Sequence, residues 1–323
     1  MHATAALHLY RHAPHAQRAR EFLEWLFPRL AAWHAYLYRE RDPQGEGLVA
    51  LYHPWESGQD NSPIWDAALQ RIQLRPDQIP AYRRVDTTIV AAAERPTNAE
   101  YDRYSYLVSF FAERNYEDAR ISGEAPLLVQ DVLFNTLLCH ADRDLAAIAR
   151  ELGEDPRPFE QRAEQSARAI DGKLWDDEHG IYINFDLVAG VPIHAHVAAG
   201  FLPLFAGIPG MERARRMYHY LNSPSFCALD EQCYPVPSYD RQADDFSPVR
   251  YWRGPVWINI DWMLYQGLKR YGFDEYAGRI RRTIIELPER HGFYEYFDPL
   301  TGQGHGASDF SWTAALLIEV LLE

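Results

Sequence analysis

Cysteine is scarce: Cys139, Cys227 and Cys233 are the only three in 323 residues. An odd count without metal-ligand spacing reads as reduced thiols in a cytoplasmic protein. Positive charge is also short. Lysine and arginine total 32 against 46 acidic residues, a formal net charge of −14. Such a chain repels nucleic-acid phosphates and anionic membrane surfaces. Its partner is then a neutral small molecule, or a small anion caught by a few local arginines. No apolar run approaches the roughly 20 residues of a membrane span. The start, "MHATAALHLYRHAPHAQRAR", lacks the apolar core of a signal peptide. There is no Gly/Ser linker, low-complexity tract or break in composition, so one domain over 1–323 is expected.

What is present is apolar and aromatic. Hydrophobic residues make up 47%, and aromatics 14%, with nine Trp and twenty Tyr. That is enough to fill a large core, with flat rings left over to stack on flat ligands. Helical period dominates. In 16–40, Phe22, Leu26, Leu30, Trp33 and Leu37 recur at steps of three and four, with Pro28 expected to kink the helix. Further helices are expected at about 62–72, 98–114, 125–150, 156–173, 196–207, 210–221, 255–271, 274–287 and 310–322. Strand signals are limited to "GIYINFDL" (180–187) and "GFYEYFDP" (292–299), too short to seed a sheet. The stretches 42–54, 176–186 and 289–299 share an acidic–loop–Gly–apolar–aromatic order after a helix. That echo suits a toroid of helical hairpins with its loops gathered at one end.

Three loops concentrate aromatics and acids: "YHPWESGQDNSPIWD" (52–66), "RYWRGPVWINIDW" (250–262) and "HGFYEYFDPLTGQGHG" (291–306). Their composition fits a sugar site and fits polar lids over helix ends about equally well. Cleaving a glycosidic bond needs two carboxyl groups, one protonated and one ionised. Candidates are Glu56, Asp60 and Asp66 in the first loop, and Glu295 and Asp298 in the third. Asp60 precedes Ser62-Pro63. Ser62 is the better helix cap by position, which leaves Asp60 free to enter a cleft beside Trp55. Glu295 sits between Tyr294 and Tyr296 and reads equally well as a solvated strand face.

"HPWESGQDNSP", "YWRGPVWINIDWMLYQGLKRYG" and "GFYEYFDPLTGQGHGASDFSWTAAL" resemble, in this order, glycoside hydrolase family 63, and most of all its bacterial mannosylglycerate and glucosylglycerate hydrolases. The resemblance runs from about residue 15 to 322. It implies an all-α, (α/α)6 toroid and an inverting mechanism needing no cofactor or metal. It implies Asp60 as general acid and Glu295 as general base, with their carboxyl groups about 6.5–9.5 Å apart. Trp55, Tyr251, Trp252 and Trp257 match positions lining the sugar subsite. "AERPTNAEYDRY" (93–104) resembles the loop that holds the glycerate carboxylate, which places Arg95 and Tyr101 in that role. The family pattern also has a segment ahead of "AREFLEWLFPRL" that this chain lacks, so a toroid incomplete at its first helices is expected. Two rival readings are an α-glucosidase for neutral oligosaccharides and a sugar-binding remnant without catalysis.

Three smaller signals remain. "HAH" (194–196) offers two metal ligands without a third and reads as a helix entry. "GQGHG" (302–306) reads as a mobile lid beside Glu295 rather than a phosphate cradle. Asp261 and Trp262 read as packing support.

Overall fold

A computed structural model describes residues 1–323. Twelve α-helices dominate: α1 (His2–His12), α2 (Ala16–Glu40), α3 (Asp66–Gln70), α4 (Asn98–Glu113), α5 (Asp118–Glu124), α6 (Val132–Leu152), α7 (Arg157–Lys173), α8 (Pro203–Ala206), α9 (Met211–Leu221), α10 (Ile258–Tyr271), α11 (Asp274–His291) and α12 (Ser311–Leu322). Eight short strands join them: β1 (Ala50–Leu51), β2 (Val129–Gln130), β3 (Trp175–Asp176), β4 (Ile181–Tyr182), β5 (Asn184–Asp186), β6 (Val191–Ile193), β7 (Tyr296–Phe297) and β8 (Gly304–His305). The fold is the expected all-α toroid of helical hairpins. Helices α6 and α7 pack as one pair and α10 and α11 as another; α6 also contacts α1 and α2, and α10 contacts α8 and α12. No helix is long and apolar enough to cross a membrane.

Helix α6 shows why the sequence folds this way. Asp131 accepts a 2.7 Å hydrogen bond from the backbone N–H of Phe134, capping the first turn, and Gly153 ends the helix in the left-handed region at φ 80°. Leu133, Leu138, Leu145 and Ile148 are buried. The expected start near 125 is too early. Residues 129–130 form β2 instead, whose Val129 is fully buried.

Three expectations are corrected. Helices α1 and α5 are absent from the expected elements; Ala3, Ala6 and Leu7 bury one stripe of α1 and Ile121 is the buried residue of α5. In α2 the buried stripe is Leu23, Leu30, His34 and Leu37, while Phe22 and Trp33 are exposed. His34 takes the core position because its Nδ1 pairs with the buried Asp142 carboxylate at 2.8 Å. The thiols are not all reduced. Cys227 and Cys233 form a disulfide with Cα atoms 5.9 Å apart, and Cys139 is free and buried.

The strands do build a sheet. β1, β2, β5 and β6 form one antiparallel sheet in that order, pairing Ala50 with Gln130 and Gln130 with Phe185. Two of the echoed stretches therefore meet on either side of β2. The third forms the separate β7–β8 hairpin.

Candidate active site

The 52–66 loop leaves β1 at Leu51 and carries three acids with different fates. Glu56 accepts from Arg41 at 2.7 and 2.8 Å and from the backbone N–H groups of Tyr52 and His53 at 2.6 and 3.2 Å. Its charge is spent on closing the turn. Asp66 pairs with Arg253. Asp60 makes no ion pair, although the chain around it is clamped. The Trp65 indole donates to the Gln59 carbonyl at 2.9 Å, the Tyr104 hydroxyl to the Asp60 carbonyl at 2.5 Å, and the Trp252 backbone N–H to Asn61 Oδ1 at 3.0 Å. Ser62 precedes the helical turn but donates and accepts no side-chain capping bond.

Burial pushes the Asp60 carboxyl up to about 6. The charges of Glu295 and Asp86 add to this; its own backbone N–H and the Arg95 guanidinium oppose it. Asp60 thus lies close enough to Glu295 to feel its charge, although 235 positions separate them in sequence (295 − 60).

Glu295 is 8% exposed, so it is not on a solvated strand face. Its two carboxylate oxygens differ. Oε2 accepts from Arg95 NH2 at 2.6 Å and from the Ala307 backbone N–H at 3.1 Å. Oε1 has only a longer contact, 3.4 Å, to Arg95 NH1. Within "GQGHG", Gly304 and His305 form β8 and pair with β7. Gly306 has φ +73°, and a Cβ there would sit 2.5 Å from Glu295 Oε2. Glycine is needed at this position for the chain to pass the carboxylate.

Arg95 was expected to hold a ligand carboxylate. Here it holds Glu295, and its guanidinium also lies 4.6 Å from the Tyr251 ring centroid. It follows Glu94 in extended backbone, at φ −116° and ψ 168°, as a residue before proline should. Tyr101, on α4, is half-buried and faces Arg84, whose guanidinium lies 4.0 Å from its ring and pairs with Asp86. Arg84 and Asp86 were not singled out in the sequence. They lie in a stretch without period, and only the Arg-Arg-Val-Asp run hinted at a charged contact. Trp55 is 45% exposed and packs edge-on against Tyr101 and Tyr104, with ring centroids 6.3 and 5.8 Å away. Tyr251, at φ 40°, faces Trp257 and Tyr296. Its hydroxyl is pushed up by burial and by the charges of Asp60 and Glu295.

Trp252 and Trp257 do not line an open subsite. They are 3% and 2% exposed and stack face to face, 3.9 Å apart and 4° from parallel. Trp257 also meets Tyr296 at 5.0 Å. Their contribution is packing, because each covers a face the other would need for a sugar. Trp257→Ala should cost about 3–5 kcal/mol of stability by denaturant titration. Trp55→Ala should leave the unfolding midpoint nearly unchanged and raise KM. Asp261 meets its expectation as support: fully buried, it accepts from the Val236 backbone N–H at 3.0 Å.

Other clefts lie away from the acids. One of about 490 Å³ is lined by His8, Leu9 and Phe22, and others involve His140 or Trp33; Asp60 and Glu295 line none of these. Arg95 lies against Glu295 and over the Tyr251 ring. Two carboxyl groups, one half-buried and unpaired and one held by arginine, amid tyrosines and an exposed tryptophan, are the equipment for acid–base cleavage of a glycosidic bond.

Comparison with known proteins agrees with this chemistry. The family model for the mannosylglycerate hydrolase MGH1-like glycoside hydrolase domain matches residues 1–313. The mannosylglycerate hydrolase of Rubrobacter radiotolerans is 56% identical over 323 residues, covering 100% of this chain and 73% of that protein. The glucosylglycerate hydrolase of Mycolicibacterium hassiacum is 33% identical, over 99% of this chain and 74% of that protein. The crystal structure of the family 63 mannosylglycerate hydrolase from Thermus thermophilus in complex with Tris and D-glycerate superposes with a TM-score of 0.94 at 44% identity, covering 99% of this chain and 76% of that one. The same enzyme has been solved in complex with glucose, and that structure superposes with a TM-score of 0.92. On the family match and these identities together, the chain belongs to the mannosylglycerate hydrolase MGH1-like glycoside hydrolases of family 63.

Proposed function

We propose that this glycoside hydrolase cleaves an α-linked mannosyl or glucosyl residue from glycerate with inversion, using Asp60 as acid and Glu295 as base. The observation that carries the reading is the contrast between the two carboxyls. Asp60 has no cationic partner and titrates near 6, so a large fraction is protonated under mildly acidic conditions. Glu295 is held through Oε2, leaving Oε1 to accept a proton from water.

In the reaction, Asp60 gives its proton to the glycosidic oxygen as the anomeric carbon–oxygen bond breaks. A water on the opposite face of the ring loses a proton to Glu295 Oε1 as its oxygen bonds to the anomeric carbon. Free hexose and glycerate leave; Asp60 is then ionised and Glu295 protonated, and exchange with solvent restores both. Trp55, Tyr101 and Tyr251 offer ring surface to the sugar. Arg95 serves twice: NH2 fixes the base, and NH1, making only the longer contact, turns toward the glycerate carboxylate. A charge-assisted bond of that kind contributes roughly 1.5–3 kcal/mol. The similarity to relatives named for mannosylglycerate and glucosylglycerate supports this aglycone over a neutral oligosaccharide.

Against the expected cytoplasmic location stands the Cys227–Cys233 bond, a feature of oxidising compartments.

The test is proton NMR of each glycoside incubated with the chain. Release of the β-hexose first, before mutarotation, is expected. Release of the α-anomer would overturn inversion. Turnover of maltose-type substrates with none of either glyceric glycoside would overturn the substrate assignment. Sugar binding without any turnover would favour the binding remnant.

A further inference from the structure

The pair of histidines at 194 and 196 lacked a third ligand in the sequence, and the fold supplies one. β3 ends at Asp176, and a tight turn closed by the Gly180 N–H on the Asp176 carbonyl, at 2.9 Å, places His179 above it. β6 ends at Ile193, and the chain then carries His194 and His196 to the same point. Asp176 Oδ1 is used locally, accepting from the Glu178 backbone N–H at 2.9 Å. Oδ2 instead faces three imidazoles: His179 Nδ1 at 2.9 Å, His196 Nε2 at 3.5 Å and His194 Nδ1 at 3.7 Å. The donor atoms of Asp176, His179 and His196 all lie within 4.8 Å of one another.

The hydrogen-bond chain behind His196 fixes what this cluster needs. The Tyr220 hydroxyl donates to Asp240 Oδ2 at 2.9 Å. Its single proton is thereby used, so at 2.8 Å the Tyr220 oxygen accepts from His196 Nδ1–H. Neutral His196 then turns a bare Nε2 lone pair toward a carboxylate oxygen. That Nε2 is buried and has no hydrogen-bond partner. Two acceptors face each other at 3.5 Å, an arrangement that calls for a cation between them. An imidazole whose far nitrogen is held by a hydroxyl and a carboxylate is the usual support for a metal-ligating histidine.

We propose that Asp176, His179 and His196 bind one divalent transition-metal ion of the zinc class, with His194 as a fourth ligand. Imidazole nitrogens with one carboxylate oxygen are a donor set suited to such ions rather than to calcium or magnesium. Binding exchanges the His179–Asp176 hydrogen bond for two metal bonds, His179 carrying its proton on Nε2. The ion ties the β3–β4 turn to the segment after β6, two backbone stretches otherwise linked here only by side chains. Its role is to brace that part of the loop end, apart from Asp60 and Glu295.

The experiment is calorimetric titration of the chelator-treated chain with ZnCl2, paired with thermal unfolding with and without zinc. One equivalent should bind, and zinc should raise the Tm. His196→Ala should weaken binding by more than tenfold and abolish the Tm shift, and Tyr220→Phe should weaken binding about tenfold. Thiolates are not a competing source, since Cys227 and Cys233 are bonded and Cys139 is buried. No saturable binding by the wild-type chain, or undiminished binding by His196→Ala, overturns the proposal. Should His196→Ala fail to fold, His179→Gln, altered at a half-exposed side chain, takes its place; unchanged zinc affinity in that variant overturns the proposal equally.

Discussion

Asp60→Asn is expected to lower kcat by about 10²–10⁴-fold and, at neutral pH, to stabilise the fold by at most about 3 kcal/mol. The two effects share one cause. Burial raises the Asp60 carboxyl from 3.8 to about 6. Between these values the folded chain binds more protons than the unfolded chain, so stability falls as pH rises from about 4 to about 6, and the cost persists above. A shift of about two units corresponds to about 3 kcal/mol, at about 1.4 kcal/mol per unit. Asparagine cannot ionise, so the cost disappears along with the proton donor. Activity is measured on mannosylglycerate and stability by urea titration at pH 5 and pH 7.5. The stabilisation should be present at pH 7.5 and reduced at pH 5. In the wild-type chain, kcat/KM should fall as pH rises through about 6, as the acid loses its proton. A variant equally inactive but destabilised at both pH values would mean that Asp60 is structural.

Glu295→Gln should lower kcat by a similar factor, about 10²–10⁴-fold, with the opposite effect on stability. Its partner Arg95 has a side chain only 10% exposed and would be left without its anion, a loss of about 1–3 kcal/mol. Arg95→Met separates the two tasks assigned to that arginine. If it only orients the base, kcat falls alike for glyceric and neutral glycosides. With both tasks, KM also rises, and only for substrates bearing a carboxylate. Steady-state kinetics on mannosylglycerate and on methyl mannoside reads the difference. Unchanged kcat on both would remove Arg95 from the positioning of Glu295.

Most of the long helices, α1 excepted, were legible because their signals are local. The stripe of α6, the Gly153 stop and the start of α7 near Pro156 can each be read from a dozen neighbouring residues. The four-stranded sheet was not, since its strands are two or three residues long and Gln130 finds its partners 80 and 55 positions away, at Ala50 and Phe185 (130 − 50; 185 − 130). At the site, the acid-rich loops could be found from composition, but not the division of labour within them. Nothing in "HPWESGQDNSP" says that Glu56 is claimed by Arg41, Asp66 by Arg253, and Asp60 by neither. Those partners come from elsewhere in the chain. The same limit explains Trp252 and Trp257. "YWRGPVW" announces aromatic density, and only the fold decides that two of its rings turn inward.

Those two residues also join the segments that carry Asp60 and Glu295. Trp252 holds Asn61, the neighbour of Asp60, through its backbone N–H; Trp257 leans on Tyr296, the neighbour of Glu295. The residue after Asp60 and the residue after Glu295 are thus both tied to one pair of stacked indoles, as incompressible as any packed interior. On the proposed roles of Asp60 and Glu295, the spacing of acid and base then leans on two tryptophans that never need touch the sugar.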